Sequence, residues 1–183
     1  MRSTLSILIA AIAIAGCSAK APDKATVASQ AAAMQSTGIE PVNFEVLRPL
    51  LPIVSGWEKK EVTGMMLAVP LKGAQVSERL VNGDSEVVVD IIDTVFNQSL
   101  YEPIAAFLEQ NFSATDTDGY KRAMPFQGQP GFQEWSNKDR TGGLTVLVGK
   151  RFLVHLQGKR INSIEPLLGI AGQINIAQLA AIK

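Results

Sequence analysis

Beyond residue 39 the chain alternates between two hydrophobic rhythms. Phe44, Leu47, Leu50, Leu51 and Val54 recur at helical spacing. Pro49 and Pro52 fall inside that run and confine it to a short, distorted turn or two, which Gly56-Trp57 ends. Strand-like runs follow at Glu58–Thr63, Met65–Leu71, Val76–Val81 and Glu86–Thr94, with a hairpin signal at Asn82-Gly83-Asp84. Ser99–Gln110 reads as a helix, with Ile104, Phe107 and Leu108 on one face. Strand patterns resume at Tyr120–Phe126, Phe132–Ser136, Leu144–Val148 and Phe152–Leu156. Turns are expected at Gly128-Gln129-Pro130-Gly131 and Gly149-Lys150-Arg151. A last helical stretch runs from about Ser163 to Leu179, broken around Gly169–Gly172.

Consecutive strands punctuated by helices predict an α+β fold, with a largely antiparallel sheet and helices packed on one face. Alternation in LTVLVGKRFLVHLQ puts Phe152, Val154 and Leu156 on the covered face and Arg151, Leu153, His155 and Gln157 on a partly wet one. SEVVVDIIDTVFNQSLYEP and VGKRFLVHLQGKRINSIEP end in Glu-Pro pairs 63 positions apart. Each joins an apolar strand to a later Ser and Glu-Pro, which points to a duplicated strands-then-helix unit.

The N-terminal end has a different pattern. Arg2 precedes an apolar run from Leu5 to Ala15, interrupted only by Ser6. That run is too short for a bilayer core, which needs about 20 helical residues. A charged start, a short apolar stretch and small residues after it form a secretory signal. A buried helix is the competing reading, disfavoured by the terminal position and the polar tract that follows. Ile14-Ala15-Gly16-Cys17 resembles the lipobox of bacterial lipoproteins, and Cys17 is the only Cys in the chain. The resemblance implies cleavage after Gly16 by signal peptidase II, a diacylglycerol thioether on Cys17 and often a further acyl group on the new amino terminus. Two or more acyl chains, at about 0.8 kcal/mol per buried methylene, make a firm anchor where one does not. Ser18, where inner-membrane-retained lipoproteins of enterobacteria carry Asp, implies the outer membrane, facing the periplasm. The expected organisation is a signal peptide over 1–16, a lipidated flexible tether over 17–38 and a single globular domain over 39–183.

Composition narrows the remaining possibilities. With Cys17 acylated no disulfide is available, so stability must come from a hydrophobic core. Lys plus Arg and Asp plus Glu both total 17, and this balance argues against nucleic acid, which wants a basic footprint. His155 is the only His, so a Cys/His zinc site and a Cys–His pair are excluded. A Ser-His-Asp triad would need His155 as base, yet no Gly-x-Ser-x-Gly elbow exists and no carboxylate stands near His155 in sequence. Asp90 and Asp93 point to opposite faces of one strand, and Asp90 reads as partly buried and hydrogen-bonded. Asp116–Gly119 resembles the start of a calcium loop but lacks its later acidic ligands, so it reads as a turn. Gly142-Gly143 reads as a hairpin loop, Met65-Met66 as core filling, and Trp57 and Trp135 as core or rim aromatics. No metal or cofactor is expected.

The sequence thus predicts a lipid-anchored, non-enzymatic binding module of the bacterial envelope. The partner classes are an envelope protein, an enzyme that it inhibits, or a small amphipathic ligand held in a sheet–helix cavity. A hydrolase using carboxylates such as Asp90, Glu86 or Glu134 is the enzymatic alternative.

Overall fold

The first apolar run behaves as its prolines dictate. In the computed structural model, which describes residues 39–68 and 72–183, Phe44–Leu47 makes one α-helical turn (α1) that passes into a 3-10 turn at Arg48–Leu50. The signal run, Gly16, Cys17 and the tether lie outside the described residues. Asn43 caps α1 by accepting the Glu45 N–H, and Leu47, Leu50 and Leu51 turn inward.

The strands that follow are β1 (Glu58–Leu67), β2 (Gly73–Asn82) and β3 (Ser85–Asp93). The two runs expected on either side of Gly64 are one strand, because Gly64 is a packing position and not a break. A Cβ there would overlap the edge of the Phe44 ring, which packs directly on the strand. The β2–β3 turn is two residues, Gly83-Asp84, with Gly83 at φ 57°, the position where a II′ hairpin needs glycine.

Helix α2 (Gln98–Glu109) leads to β4 (Ser113–Thr115), β5 (Gly119–Phe126), β6 (Gln129–Ser136), β7 (Thr141–Val148) and β8 (Phe152–Lys159). The β5–β6 turn is Gln127-Gly128, at φ 49° and 75°, and Gln129, Pro130 and Gly131 belong to β6. The chain therefore turns two residues earlier than the Gly128-Gln129-Pro130-Gly131 signal implies. Helices α3 (Glu165–Ala171) and α4 (Ile176–Ala180) close the described chain, separated near Gly172 as the sequence predicts.

All eight strands form one antiparallel sheet in the order β1-β2-β3-β8-β7-β6-β5-β4. Two meanders thus meet at their last strands, β3 against β8. The architecture is mostly sheet with a few short helices, which matches the α+β expectation only loosely. One face carries Val76, Val87, Val89, Ile91, Leu144, Val146, Phe152, Val154 and Leu156, all buried beneath α1, α3 and α4.

The expectation that helices cover one face is corrected by α2. Register places Phe132 opposite Thr145, on the face away from that core, and the Phe107 ring of α2 stacks on Phe132 at 5.3 Å. The Phe107–Phe112–Phe132 cluster gives α2 an aromatic seat on β6. The duplicated unit is not carried through either. Three strands precede α2 and five lie between it and α3. The two helices also sit on opposite faces, because Leu167 of α3 packs over Gly158 on the core side.

A bulge in β1 between Lys59 and Glu61 re-aims Lys59 toward the core face. There its ammonium ion-pairs with Glu78, a carboxylate that is fully buried in β2.

Candidate functional site

Because α2 covers only the β5–β6 end of its face, the half formed by β1, β2, β3 and β8 has no helix over it among the described residues. Cross-strand register lines up Ser77, Asp90, His155 and Thr145 in a single row across β2, β3, β8 and β7. Asp90 accepts hydrogen bonds from Ser77 Oγ at 2.5 Å and Gln75 Nε2 at 3.0 Å. Thr145 Oγ1 lies 2.9 Å from His155 Nδ1. The sequence placed no carboxylate near His155, yet β3–β8 pairing makes Asp90 its direct cross-strand neighbour. Asp90 is half-buried and hydrogen-bonded, as its position on the strand implied.

The two other carboxylates named from the sequence, Glu86 and Glu134, point elsewhere. Glu86 pairs with Arg79 and Arg160, and Glu134 pairs with Lys121. Glu134 is on β6, three strand spacings of about 4.8 Å from β3. Glu86 stands four residues along β3 from Asp90, about 13 Å away. The three share a face without converging.

Asp93 faces the opposite way, as strand parity requires, and it organises one end of the sheet. Arg151 donates to it from Nε at 2.9 Å and from Nη2 at 2.7 Å, with both side chains buried. The same carboxylate accepts the N–H groups of Val42 and Val95, each at 2.9 Å. Arg151 Nη2 also reaches the Glu40 carbonyl at 3.3 Å. Alternation alone puts Arg151 on the wet face; the Gly149-Lys150 turn, with φ 60° at both residues, offsets it from the strand and delivers it to the interior.

The pair also fixes the segment after β3. Thr94 donates both its N–H and its hydroxyl to the Arg151 carbonyl. Val95 and Phe96 follow at φ 53° and 58°, closed by an Asn97 N–H to Thr94 carbonyl bond. This is a I′ turn built from a β-branched and an aromatic residue where Asn-Gly is preferred, a strain of about 1–3 kcal/mol per residue.

That strained turn presents Phe96 at the mouth of a cleft of about 400 Å³. Ile39, Phe96, Phe152, Ala180 and Ile182 supply its apolar walls, and Arg151 and Lys183 its charged groups. Sequence reasoning missed this site, because its walls come from four separated stretches that only the closed fold assembles.

A smaller cleft of about 200 Å³ lies beside Asp116, Tyr120 and Trp135. Asp116 Oδ1 accepts the N–H groups of Asp118 and Gly119, so the calcium-like stretch is a turn. Nearby, Gln133 donates to the Tyr120 hydroxyl at 2.7 Å and accepts from Arg122. Burial pushes the Tyr120 hydroxyl above its usual range, with Arg122 pulling down and Glu165 adding to the rise. Trp135 packs against the core and donates from Nε1 to Asn137, and Trp57 also packs against the core. Gly142-Gly143 lies within β7, where Trp135, Ile164 and Glu134 close over the absent side chains. Met65 and Met66 are not core filling: they and Leu67 are 47%, 45% and 41% exposed on the outer strand. Among the described residues no group of three His, Cys, Asp or Glu is placed to hold a metal ion, and no helix is long and apolar enough to cross a membrane.

No protein-family model matches this chain, and no curated protein and no solved structure matches it.

Proposed function

We propose that this chain is a membrane-tethered, non-enzymatic binding module of the bacterial cell envelope. Cys17, freed by cleavage after Gly16 and acylated, anchors it to the outer membrane on the periplasmic side. The domain engages an envelope protein through the open edge of β1. The observation that carries this reading is the character of that edge. Among the described residues β1 has a strand partner on one side only. Its first half, Glu58-Lys59-Lys60-Glu61, carries the charges and the bulge that discourage edge-to-edge pairing. Its second half, Met65-Met66-Leu67, is exposed and apolar on both faces. An edge guarded at one end and open at the other suits the addition of a partner strand, with main-chain bonds for affinity and alternate side chains for selection.

The ion pairs that occupy Glu86 and Glu134 support the non-enzymatic reading over a carboxylate hydrolase. A photo-crosslinking residue placed at Met66 of the full chain, in living cells, tests the proposal. One discrete adduct from position 66, with none from Glu109 on α2, is the expected result. Equal adducts from both positions, or none from 66, would overturn it.

A further inference from the structure

We propose that the cleft beside Arg151 is a binding site for a single-chain amphiphile with an anionic head group. It is a second surface, on the core side of the sheet, and stands independently of the β1 reading. Its volume of about 400 Å³ falls within the range of about 300–1,000 Å³ typical of small-molecule clefts. Phe96, Phe152, Ala180 and Ile182 offer an apolar chain a place out of water.

The head-group preference follows from charge. Arg151 and Lys183 bring cationic side chains to the cleft lining, and that of Arg151 is already paired with Asp93. Asp93 is fully buried and accepts four hydrogen bonds from Arg151, Val42 and Val95, so its oxygens are occupied away from the cleft lining, while its charge offsets that of Arg151 and leaves the Lys183 ammonium as the main attraction for an anion. The fork that Arg151 makes with Asp93 uses Nε and Nη2, which turns Nη1 to the other edge of the guanidinium. The Phe96 ring, 5.6 Å from the guanidinium carbon, holds that group against the apolar wall.

The strained turn is the second observation. A left-handed Val95-Phe96 pair costs stability that Asn-Gly would not, and strain of this kind is retained where the residues serve a site. Here it brings an aromatic side chain, 36% exposed, to the cleft mouth.

The test uses the full chain with Cys17→Ser, so that no acyl group of its own competes, in detergent-free buffer. Decanoate and decyltrimethylammonium, each below its micelle concentration, are titrated by calorimetry. Decanoate is expected to bind saturably at one per chain, and decyltrimethylammonium at least tenfold more weakly. Ala180→Trp fills the cleft from an exposed position, and it should weaken decanoate at least tenfold without moving the thermal midpoint. Lys183→Glu should erase the head-group preference while leaving the cleft open. Absence of saturable decanoate binding, equal affinity for the cation, or unchanged binding in Ala180→Trp would each overturn the inference. None of these outcomes bears on the crosslink from position 66.

Discussion

Asp93 and Arg151, 58 residues apart in sequence, close a two-bond fork at the end of the central strand pair. The fork ties three things together: the chain entering the domain at Glu40–Val42, the strained turn at Val95-Phe96, and the β7–β8 turn. Removing one partner leaves a buried charge without its counter-ion. Asp93→Ala or Arg151→Met alone should therefore cost about 3–5 kcal/mol in urea unfolding. Asp93→Leu with Arg151→Met together should cost less than either single change. A double variant as unstable as the sum of the singles would contradict this account of the pair.

Phe44 and Gly64 form a second dependency. Phe44 occupies the space a side chain at position 64 would take. Gly64→Ala should destabilise by about 1–3 kcal/mol through overpacking. The same change on a Phe44→Ala background should cost much less. Unfolding free energies for the four proteins of the cycle decide it.

Phe96 sets stability against binding. Phe96→Gly relieves the left-handed backbone and should raise stability by about 0.5–1 kcal/mol. It also removes the aromatic wall at the cleft mouth, so decanoate binding should fall. Phe96→Ala removes the same ring contact with Arg151 but keeps the left-handed backbone, so Phe96→Gly no more stable than Phe96→Ala would show that the turn is not strained.

Tyr120 carries an alkaline signature. Its hydroxyl titrates above the ordinary value of 10.0, chiefly because of burial. The folded protein then holds this proton more tightly than the unfolded chain. Its contribution to stability is fully present below pH 10 and is lost as pH rises through the folded value. Stability of the parent should fall more steeply than that of Tyr120→Phe over that window, as followed by unfolding at stepped pH.

Local pattern revealed the strands and the short helices because each depends on near neighbours. Phe152, Val154 and Leu156 alternate with Leu153, His155 and Gln157, and that alternation showed which residues face the core. It failed where a turn intervened. Lys150 at φ 60° shifts Arg151 off the β8 alternation, so a residue read as wet is among the most buried. Gly64 looked like a break between strands because its role is filled by Phe44, 20 residues upstream. The placement of α2 was illegible for a related reason. Its aromatic seat, Phe132, lies on the far meander, and sequence shows which helix face is apolar but not which sheet face receives it. The Ser77–Asp90–His155–Thr145 row and the Arg151 cleft are products of register and closure, which no single stretch encodes.

The tether at Cys17 is the claim on which the envelope reading depends, and intact mass measures it directly. Full-length chain expressed in a Gram-negative host and extracted from its membranes should begin at Cys17, with two or three acyl chains on that residue, and Cys17→Ser should carry no acyl mass and keep its uncleaved N-terminal segment. A membrane-independent protein that begins at Met1, or at any other residue without acylation, would contradict the account.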